Sequence, residues 1–325
     1  MAAPLELRYT TLDVFTTTRY AGNPLAVVTV PAEQRASLTQ DAKQRIAREF
    51  NYSETVFLHG PSEPQATNRD IDIFTPTTEL PFAGHPTIGT ACLLRLGEAS
   101  PPVQTLVTKA GPIALSAGAV AGSVKAAIPH DVHVHGGRLA TLPGARELVA
   151  SGALGHGNDV ILQAELDAPA VSIVRGMTFL LVRLASIELL GKVGLARGTV
   201  DLSAVEGLLD EGPWRKTRMG RYYYVVDEGT GDGVVGVRTR MVGLGIEDPA
   251  TGSAACTLAS YLTLQREKGG EAPVRYEIVQ GVEMGRESEI TVEVVPRRDE
   301  KGDSTIKEVY LSGSAVVVMT GTLVV

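Results

Sequence analysis

The chain has 325 residues, 44% of them hydrophobic, 21% charged and only 5% aromatic, which suits two domain-sized cores built on Val, Ala, Leu and Gly. A net charge of −7 without any basic run argues against a nucleic-acid binder that tracks phosphates. Two cysteines make no disulfide framework, no apolar run reaches the ~20 residues of a spanning helix, and the first residues lack a signal-peptide pattern, so a cytoplasmic protein with no membrane partner is expected.

In chain order, β-branched and alternating runs dominate, which is the pattern of strands. The first half predicts strands at Glu6–Phe15, Leu25–Val30, Thr55–His59, Asp70–Thr75, Thr105–Lys109, Ile113–Ala117 and Ser123–Ile128. Among them, Thr39–Phe50 reads as a helix with Thr39 as N-cap and Asp41 in its first turn, and Thr87–Leu96 as a helix ended by Gly97. Pro129 and a His/Gly-rich stretch break the pattern around Ile128–Gly136, where the halves are expected to meet. The second half predicts strands at Val171–Val174, Thr178–Arg183, Tyr222–Val226, Val234–Met241, Val274–Val279, Ile290–Val295 and Lys307–Val318. Its main helix is Ser253–Arg266, closed by Lys268-Gly269-Gly270, with shorter helices near Ser186–Val193 and Ser203–Leu209 and loops at Gly152–Asn158 and Gly229–Gly236. The helices after Thr87 and Ser253 show little polar face, so each is expected to lie buried inside a curled sheet.

Two segments echo each other. Glu79-Leu80-Pro81-Phe82-Ala83-Gly84-His85-Pro86-Thr87-Ile88-Gly89 has a weaker copy at Glu247-Asp248-Pro249-Ala250-Thr251-Gly252-Ser253-Ala254-Ala255-Cys256. Setting His85 against Pro249, an offset of 164 (249 − 85), aligns Thr87 with Thr251, Ala91 with Ala255, Cys92 with Cys256 and Leu94 with Leu258. Each copy is a Pro/Gly turn that opens a helix of small residues. Helix N-termini carry backbone N–H groups without helical partners and the positive dipole end, so they bind anions. A duplicated fold with its site between the halves follows; two unrelated Gly/Pro helix starts would give similar letters.

Other motifs have bland readings beside the functional ones. Gly231-Asp232-Gly233-Val234-Val235-Gly236 satisfies G-x-G-x-x-G but runs into a strand, where a dinucleotide site needs a helix, so a hairpin turn is expected. His133 and His135 share one face of a strand beside Asp131, but no third ligand is evident, and a solvated junction accounts for them better than a metal. Cys92 and Cys256 sit inside the buried helices and read as small core residues. Glu54 stands at the mouth of an apolar strand, where partial desolvation would suit a general acid/base; a strand-edge salt bridge is the alternative. His85 sits in a Gly-His-Pro turn just before a helix, whose N-terminus disfavours an imidazolium and leaves a neutral ring able to pass a proton. Asp248 is placed like an N-cap, with capping and substrate contact both open to it.

Taken together, these segments resemble the PhzF-like family, named for the phenazine-biosynthesis isomerase. Asp13-Val14-Phe15 with Gly22-Asn23-Pro24-Leu25-Ala26-Val27-Val28 looks like its opening, and Asn51-Tyr52-Ser53-Glu54-Thr55 like its acid/base segment. Phe74-Thr75-Pro76 leading into Glu79–Gly89, and Glu247–Ala254, look like its two ligand turns; Gln280-Gly281 with Met284-Gly285-Arg286 and Ser288 looks like its late Gly/Arg loop. Asp72 stands where relatives often show Arg, and Glu287 where Pro is common.

The resemblance implies an α+β fold like that of diaminopimelate epimerase: two similar halves, each a curved, mostly antiparallel sheet wrapped around a central helix. The halves would be residues 1–128, with the last strand (about 315–325) returning to it, and 129–314, with the site in the cleft between them. It also implies a homodimer and a cofactor-independent isomerase, with no metal, that shifts a proton on a small carboxylate-bearing substrate. Glu54 would move the proton, and His85 and Asp248 would complete the catalytic set. Gly84, Thr87, Ile88 and Gly89 in the first turn, and Thr251, Gly252, Ser253 and Ala254 in the second, would bind the anionic metabolite. A cysteine-dependent epimerase is disfavoured, because Ala83 and Pro249 stand where such enzymes place thiols. A non-catalytic small-molecule binder with the same cleft is the other alternative.

Overall fold

The computed structural model describes residues 5–96, 101–195, 201–227, 233–243, 245–266 and 272–325. The chain forms two compact units, Met1–Ile128 with Leu311–Val325, and Pro129–Tyr310.

In the first unit the strands are β1 (Glu6–Val14), β2 (Asn23–Val30), β3 (Thr55–His59), β4 (Asn68–Phe74), the short β5 (Glu79–Leu80), β6 (Thr105–Thr108), β7 (Gly111–Ala117) and β8 (Val124–Ala127). The chain's last strand, Ala315–Val324, lies antiparallel on β1, and β1 is antiparallel to β2. The ladder continues with β2 parallel to β3, β3 antiparallel to β4, β4 parallel to β6, and β6, β7 and β8 antiparallel in turn. Helix α1 (Gln40–Phe50) makes the crossover between the parallel β2 and β3. Thr39 caps it by accepting the Ala42 N–H, and Asn51 ends it in the left-handed region that Asn tolerates. Its Ala47 joins Leu7, Val28, Phe57 and Phe74 in a core on one sheet face.

Helix α2 (Gly84–Leu96) is touched by β1, β2, β3, β8 and the last strand. Nine consecutive residues, Gly84 to Cys92, are buried, as the nearly all-apolar sequence requires. Gly89 sets the approach. A Cβ there would stand 2.5 Å from Leu25 Cδ2 and 2.7 Å from Val14 Cγ2, so any side chain would push the helix off the sheet.

The second unit repeats the scheme. Its strands are β9 (His133–Val134), β10 (Ala170–Val174), β11 (Met177–Arg183), β12 (Arg218–Asp227), β13 (Val234–Gly243), the short β14 (Ile246–Asp248), β15 (Val274–Gln280), β16 (Ser288–Arg298) and, up to Tyr310, β17 (Ser304–Gly313). From β9 the pairings run antiparallel to β10, antiparallel to β11, parallel to β12, antiparallel to β13, parallel to β15 and antiparallel to β16. Counted from the last strand, the first unit shows the same succession. In both, a short strand antiparallel to the fifth member leads into the central helix, here α6 (Gly252–Leu264). Helices α3 (Ala145–Ala150), α4 (Asp159–Asp167) and α5 (Ile187–Gly191) contribute to a core with Leu180, Val182 and Tyr223.

Several sequence expectations change. The repeat register is 168 (252 − 84 for the two helix starts), not 164, so Ala83 corresponds to Thr251 and Cys92 to Ser260. The error is four residues, close to one helical turn, over which small residues repeat on the same face. α2 begins three residues before Thr87. The strand expected at Lys307–Val318 is two strands broken at Ser314, whose carbonyl accepts the Phe15 N–H at 2.7 Å. Ser203–Leu209 holds only a 3-10 turn at Leu202–Ala204, and α3 and α4 are helices the sequence pattern does not mark. Gly97 and Lys268-Gly269-Gly270 lie outside the described residues, as does Gly231; from Val234 the chain is β13, a strand and not a helix.

Candidate active site

In the first unit, the left-handed Asn51 turns the chain out of α1 and delivers Glu54 to the start of β3. β5 and Pro81 bring the chain back to the head of α2, which carries His85. The Glu54 Oε2 lies 3.5 Å from His85 Nδ1, with the two side chains 17% and 6% exposed. An acid and an imidazole are therefore neighbours in largely dry surroundings. Gly84 and His85 head the helix, where amides stand outside the helical ladder, while Pro86 has no N–H to offer. The other expected residues of this turn face inward. Thr87 directs both its hydroxyl (2.8 Å) and its amide (3.3 Å) to the Ala83 carbonyl, Ile88 is wholly buried, and Gly89 packs on the sheet.

In the second unit, β14 carries Glu247 and Asp248 to the head of α6. Arg240, itself buried, grips Glu247 with two hydrogen bonds, Nε to Oε1 at 2.7 Å and Nη2 to Oε2 at 2.8 Å. The N-cap position belongs to Thr251 and not to Asp248, and its side chain caps no helix amide. The Thr251 hydroxyl instead donates to Asp248 Oδ2 at 2.6 Å. Gly252, Ser253 and Ala254 occupy the first turn of α6, and Ala255 is the first amide to bond back, to the Thr251 carbonyl at 3.0 Å. Beneath the turn lies Gln280, fully buried at the end of β15. Its Nε2 donates to the Asp248 carbonyl at 2.8 Å, and its Oε1 accepts the Thr251 N–H at 3.3 Å. Gly281 follows with φ +77°; a Cβ there would meet the Arg286 carbonyl at 2.5 Å and that of Pro249 at 2.7 Å, so only glycine lets the late loop press against the Asp248 turn. Gln280 appeared in the sequence only as part of a resemblance. Its one local signal is a polar residue at a position where the β15 alternation points inward.

Both thiols are removed from chemistry. Burial pushes Cys92 up to about 12 and raises Cys256 further, so both stay protonated at neutral pH. Cys92 Sγ donates to the Gly313 carbonyl at 3.6 Å.

The histidine run is not a solvated junction. His135 is buried, with Nε2 2.9 Å from Ser172 Oγ and Nδ1 accepting the Asp210 N–H at 3.0 Å. His133 pairs with Asp210 at 2.7 Å and stacks on Trp214 with centroids 4.6 Å apart. His133, His135 and Asp210 have ligand atoms close enough to share a metal ion. Both His135 nitrogens are nevertheless spent on hydrogen bonds, one to a main-chain amide, and this makes the cluster a clasp for the 210 loop.

Asp72 is neutralised locally. Lys43 Nζ at 2.5 Å and His59 Nε2 at 2.7 Å share its Oδ2. Asp72 pairs with Phe57 in the ladder, so Phe57, His59 and Asp72 point to the face that α1 covers. Glu287 is exposed.

Comparison with known proteins matches residues 12–194 and 237–321 to the model of the phenazine biosynthesis-like protein family. The chain belongs to that family. It is 33% identical over 324 residues to an uncharacterized isomerase of Mesorhizobium japonicum, covering 97% of this chain and 98% of the relative. To the trans-2,3-dihydro-3-hydroxyanthranilate isomerase of Pseudomonas chlororaphis it is 31% identical over 321 residues, covering 97% and 99%. The crystal structure of a phenazine biosynthesis protein of the PhzF family from Bacillus anthracis superposes with a TM-score of 0.72, at 21% identity, over 99% of this chain and all of that one. The epimerase-like α+β fold and the isomerase class expected from the sequence both stand. Among the described residues, no helix is long and apolar enough to cross a membrane.

Proposed function

We propose that this protein is a cofactor-independent isomerase that moves a proton between two carbons of a small anionic substrate, a cyclic, unsaturated amino- or hydroxy-acid. The observation that carries this reading is the Glu54–His85 pair, 3.5 Å apart and largely buried at a helix head. A carboxylate in such a place is poised to take a proton and keep it close for return, and apo hydrogen bonds of this kind are often long until substrate arrives. In the reaction, the Glu54 carboxylate accepts a proton from one ring carbon. The C–H electron pair enters the conjugated system, the double bond shifts, and Glu54 returns the proton to a second carbon. Nothing is oxidised or reduced.

His85 and Asp248 stabilise the charge that develops between the two steps. Within each unit the helix-head amides are the proposed anion-binding groups: Gly84 and His85 on α2, and Gly252, Ser253 and Ala254 on α6. Thr87, Ile88 and Gly89 fix α2 against its sheet, and Thr251 orients Asp248. Relatives named trans-2,3-dihydro-3-hydroxyanthranilate isomerase support this substrate class, and a homodimer is the proposed assembly.

The test is NMR in D₂O with trans-2,3-dihydro-3-hydroxyanthranilate and related cyclic acids, comparing native protein with Glu54→Gln. Deuterium at ring carbon with native protein alone supports the mechanism. Equal exchange by Glu54→Gln sinks the role of Glu54. Ligand signals perturbed without exchange would mean a binding protein.

A further inference from the structure

The polar groups under the second turn form a chain with one permitted direction. Gln280 is held in one orientation by main-chain partners, because Nε2 faces a carbonyl and Oε1 faces an amide. Its Nε2 therefore also donates to Thr251 Oγ1, 3.1 Å away. With that oxygen accepting from Gln280, the one hydroxyl proton of Thr251 goes to Asp248 Oδ2 at 2.6 Å. At the far end, the Tyr222 hydroxyl stands 3.0 Å from Gln280 Oε1 and 3.0 Å from Thr239 Oγ1, and Tyr222, Thr239 and Gln280 are all fully buried. Satisfied buried networks of this kind rigidify a unique arrangement.

We infer that Gln280 is a positioning residue: through Thr251 it holds Asp248 as a hydrogen-bond acceptor at Oδ2, so that any proton carried by Asp248 sits on Oδ1. This rests on the reading of Asp248 as a charge-stabilising group. Gln280 is fully buried beneath the turn and acts through Thr251. It fixes which oxygen of Asp248 is basic and where that carboxylate stands.

The experiment uses the full-length protein and the variants Gln280→Met, Thr251→Val and Thr251→Ser, with far-UV circular dichroism as the check on folding. Two readouts separate the inference from the reading beneath it. The first is isomerisation of trans-2,3-dihydro-3-hydroxyanthranilate. Gln280→Met and Thr251→Val should each lower kcat roughly 10- to 100-fold, the range for a misplaced catalytic group, with little change in KM. Thr251→Ser keeps the hydroxyl and should restore most of the rate. The second needs no substrate: the ¹³C carboxyl signal of Asp248, assigned with Asp248→Asn, should move in Gln280→Met and Thr251→Val and stay near its native position in Thr251→Ser. An unmoved signal in folded Gln280→Met overturns the inference, as does a Thr251→Ser variant no better than Thr251→Val. If Gln280→Met fails to fold, the two Thr251 variants decide it. If the native protein isomerises neither that compound nor the related cyclic acids, the functional reading fails while the carboxyl signal still decides the chain.

Discussion

Asp72→Asn removes the acid that Lys43 and His59 share beneath α1. The side chains of Lys43, His59 and Asp72 are 9%, 1% and 26% exposed, so the cluster is largely out of water. Burial alone would raise the Asp72 carboxyl, but hydrogen bonds from His59 and Lys43 outweigh it and lower the pKa from 3.8 to about 2. That depression corresponds to about 2 kcal/mol of stability at neutral pH. The sign follows from the direction: the contribution is fully present above about pH 4, where the unfolded acid is also ionised, and it is lost as pH falls toward 2. Urea unfolding followed by far-UV circular dichroism at a series of pH values measures it. At pH 6 the variant should be less stable by at least that amount, because the buried Lys43 also loses its counter-ion. The gap between native and variant should close as pH approaches 2. The single tryptophan, Trp214, lies in the other unit and cannot serve as a local probe. A gap independent of pH, or one below about 0.5 kcal/mol as for a surface pair, would refute the argument.

Gly281→Ala must place a Cβ against two carbonyls at φ +77°; the left-handed conformation alone costs roughly 1–2 kcal/mol, and the displaced Pro249 turn should lower kcat in the exchange assay. Cys92 and Cys256 should resist iodoacetamide at pH 7.5 in the folded protein and react once urea exposes them, with proton exchange unaffected by the reagent; rapid alkylation of native protein would contradict the burial of both thiols. Glu165, fully buried, accepts from Gly155 N–H (2.5 Å), Arg221 (2.9 Å) and the Tyr223 hydroxyl. Glu165→Gln should destabilise by about 3–5 kcal/mol, as expected when a buried cation loses its partner, read from the urea midpoint by Trp214 fluorescence.

The elements most legible in the sequence were those whose local pattern and tertiary role agree. β3 was found to the residue, because Thr55–His59 is apolar and sits between a helix end and a polar loop. α1 was found because Thr39, Asp41 and the apolar spacing all mark one helix. Misses fell where a long-range contact decided. Apolar alternation runs unbroken through Gly313-Ser314-Ala315, and only the hydrogen bond from Phe15 shows where the strand breaks. α4 hid behind a Gly-rich stretch read as loop, although Asn158, which accepts from Val160 and Ile161, was a usable N-cap signal. Local pattern marks Glu54 and His85 singly and only the family resemblance joins them, because no spacing rule brings residues 31 positions apart (85 − 54) to 3.5 Å. That took the ladder from β3 through β4 to the β5 turn.

The same topology in both units, with different residues at its two helix heads, suggests a division of labour after duplication. The first head has the lower donor capacity. Pro86 removes one of its amides, Ala83 leaves the preceding position without a polar side chain, and His85 stands beside Glu54. The second head keeps its amides from Gly252 to Ala254 and adds a hydroxyl, Thr251, which is turned onto Asp248. The supports beneath differ accordingly. Beneath Gly89 of α2 the contacts are apolar, with Leu25 and Val14 against it. At the head of α6 it is a satisfied polar network running from Tyr222 through Gln280 to the turn. An apolar bed holds a helix without fixing any proton, which leaves an acid/base pair at its head free to change protonation state. A directional hydrogen-bond chain does the opposite, holding one acceptor in a single state. We therefore propose that reversible proton transfer belongs with Glu54 and fixed charge stabilisation with Asp248.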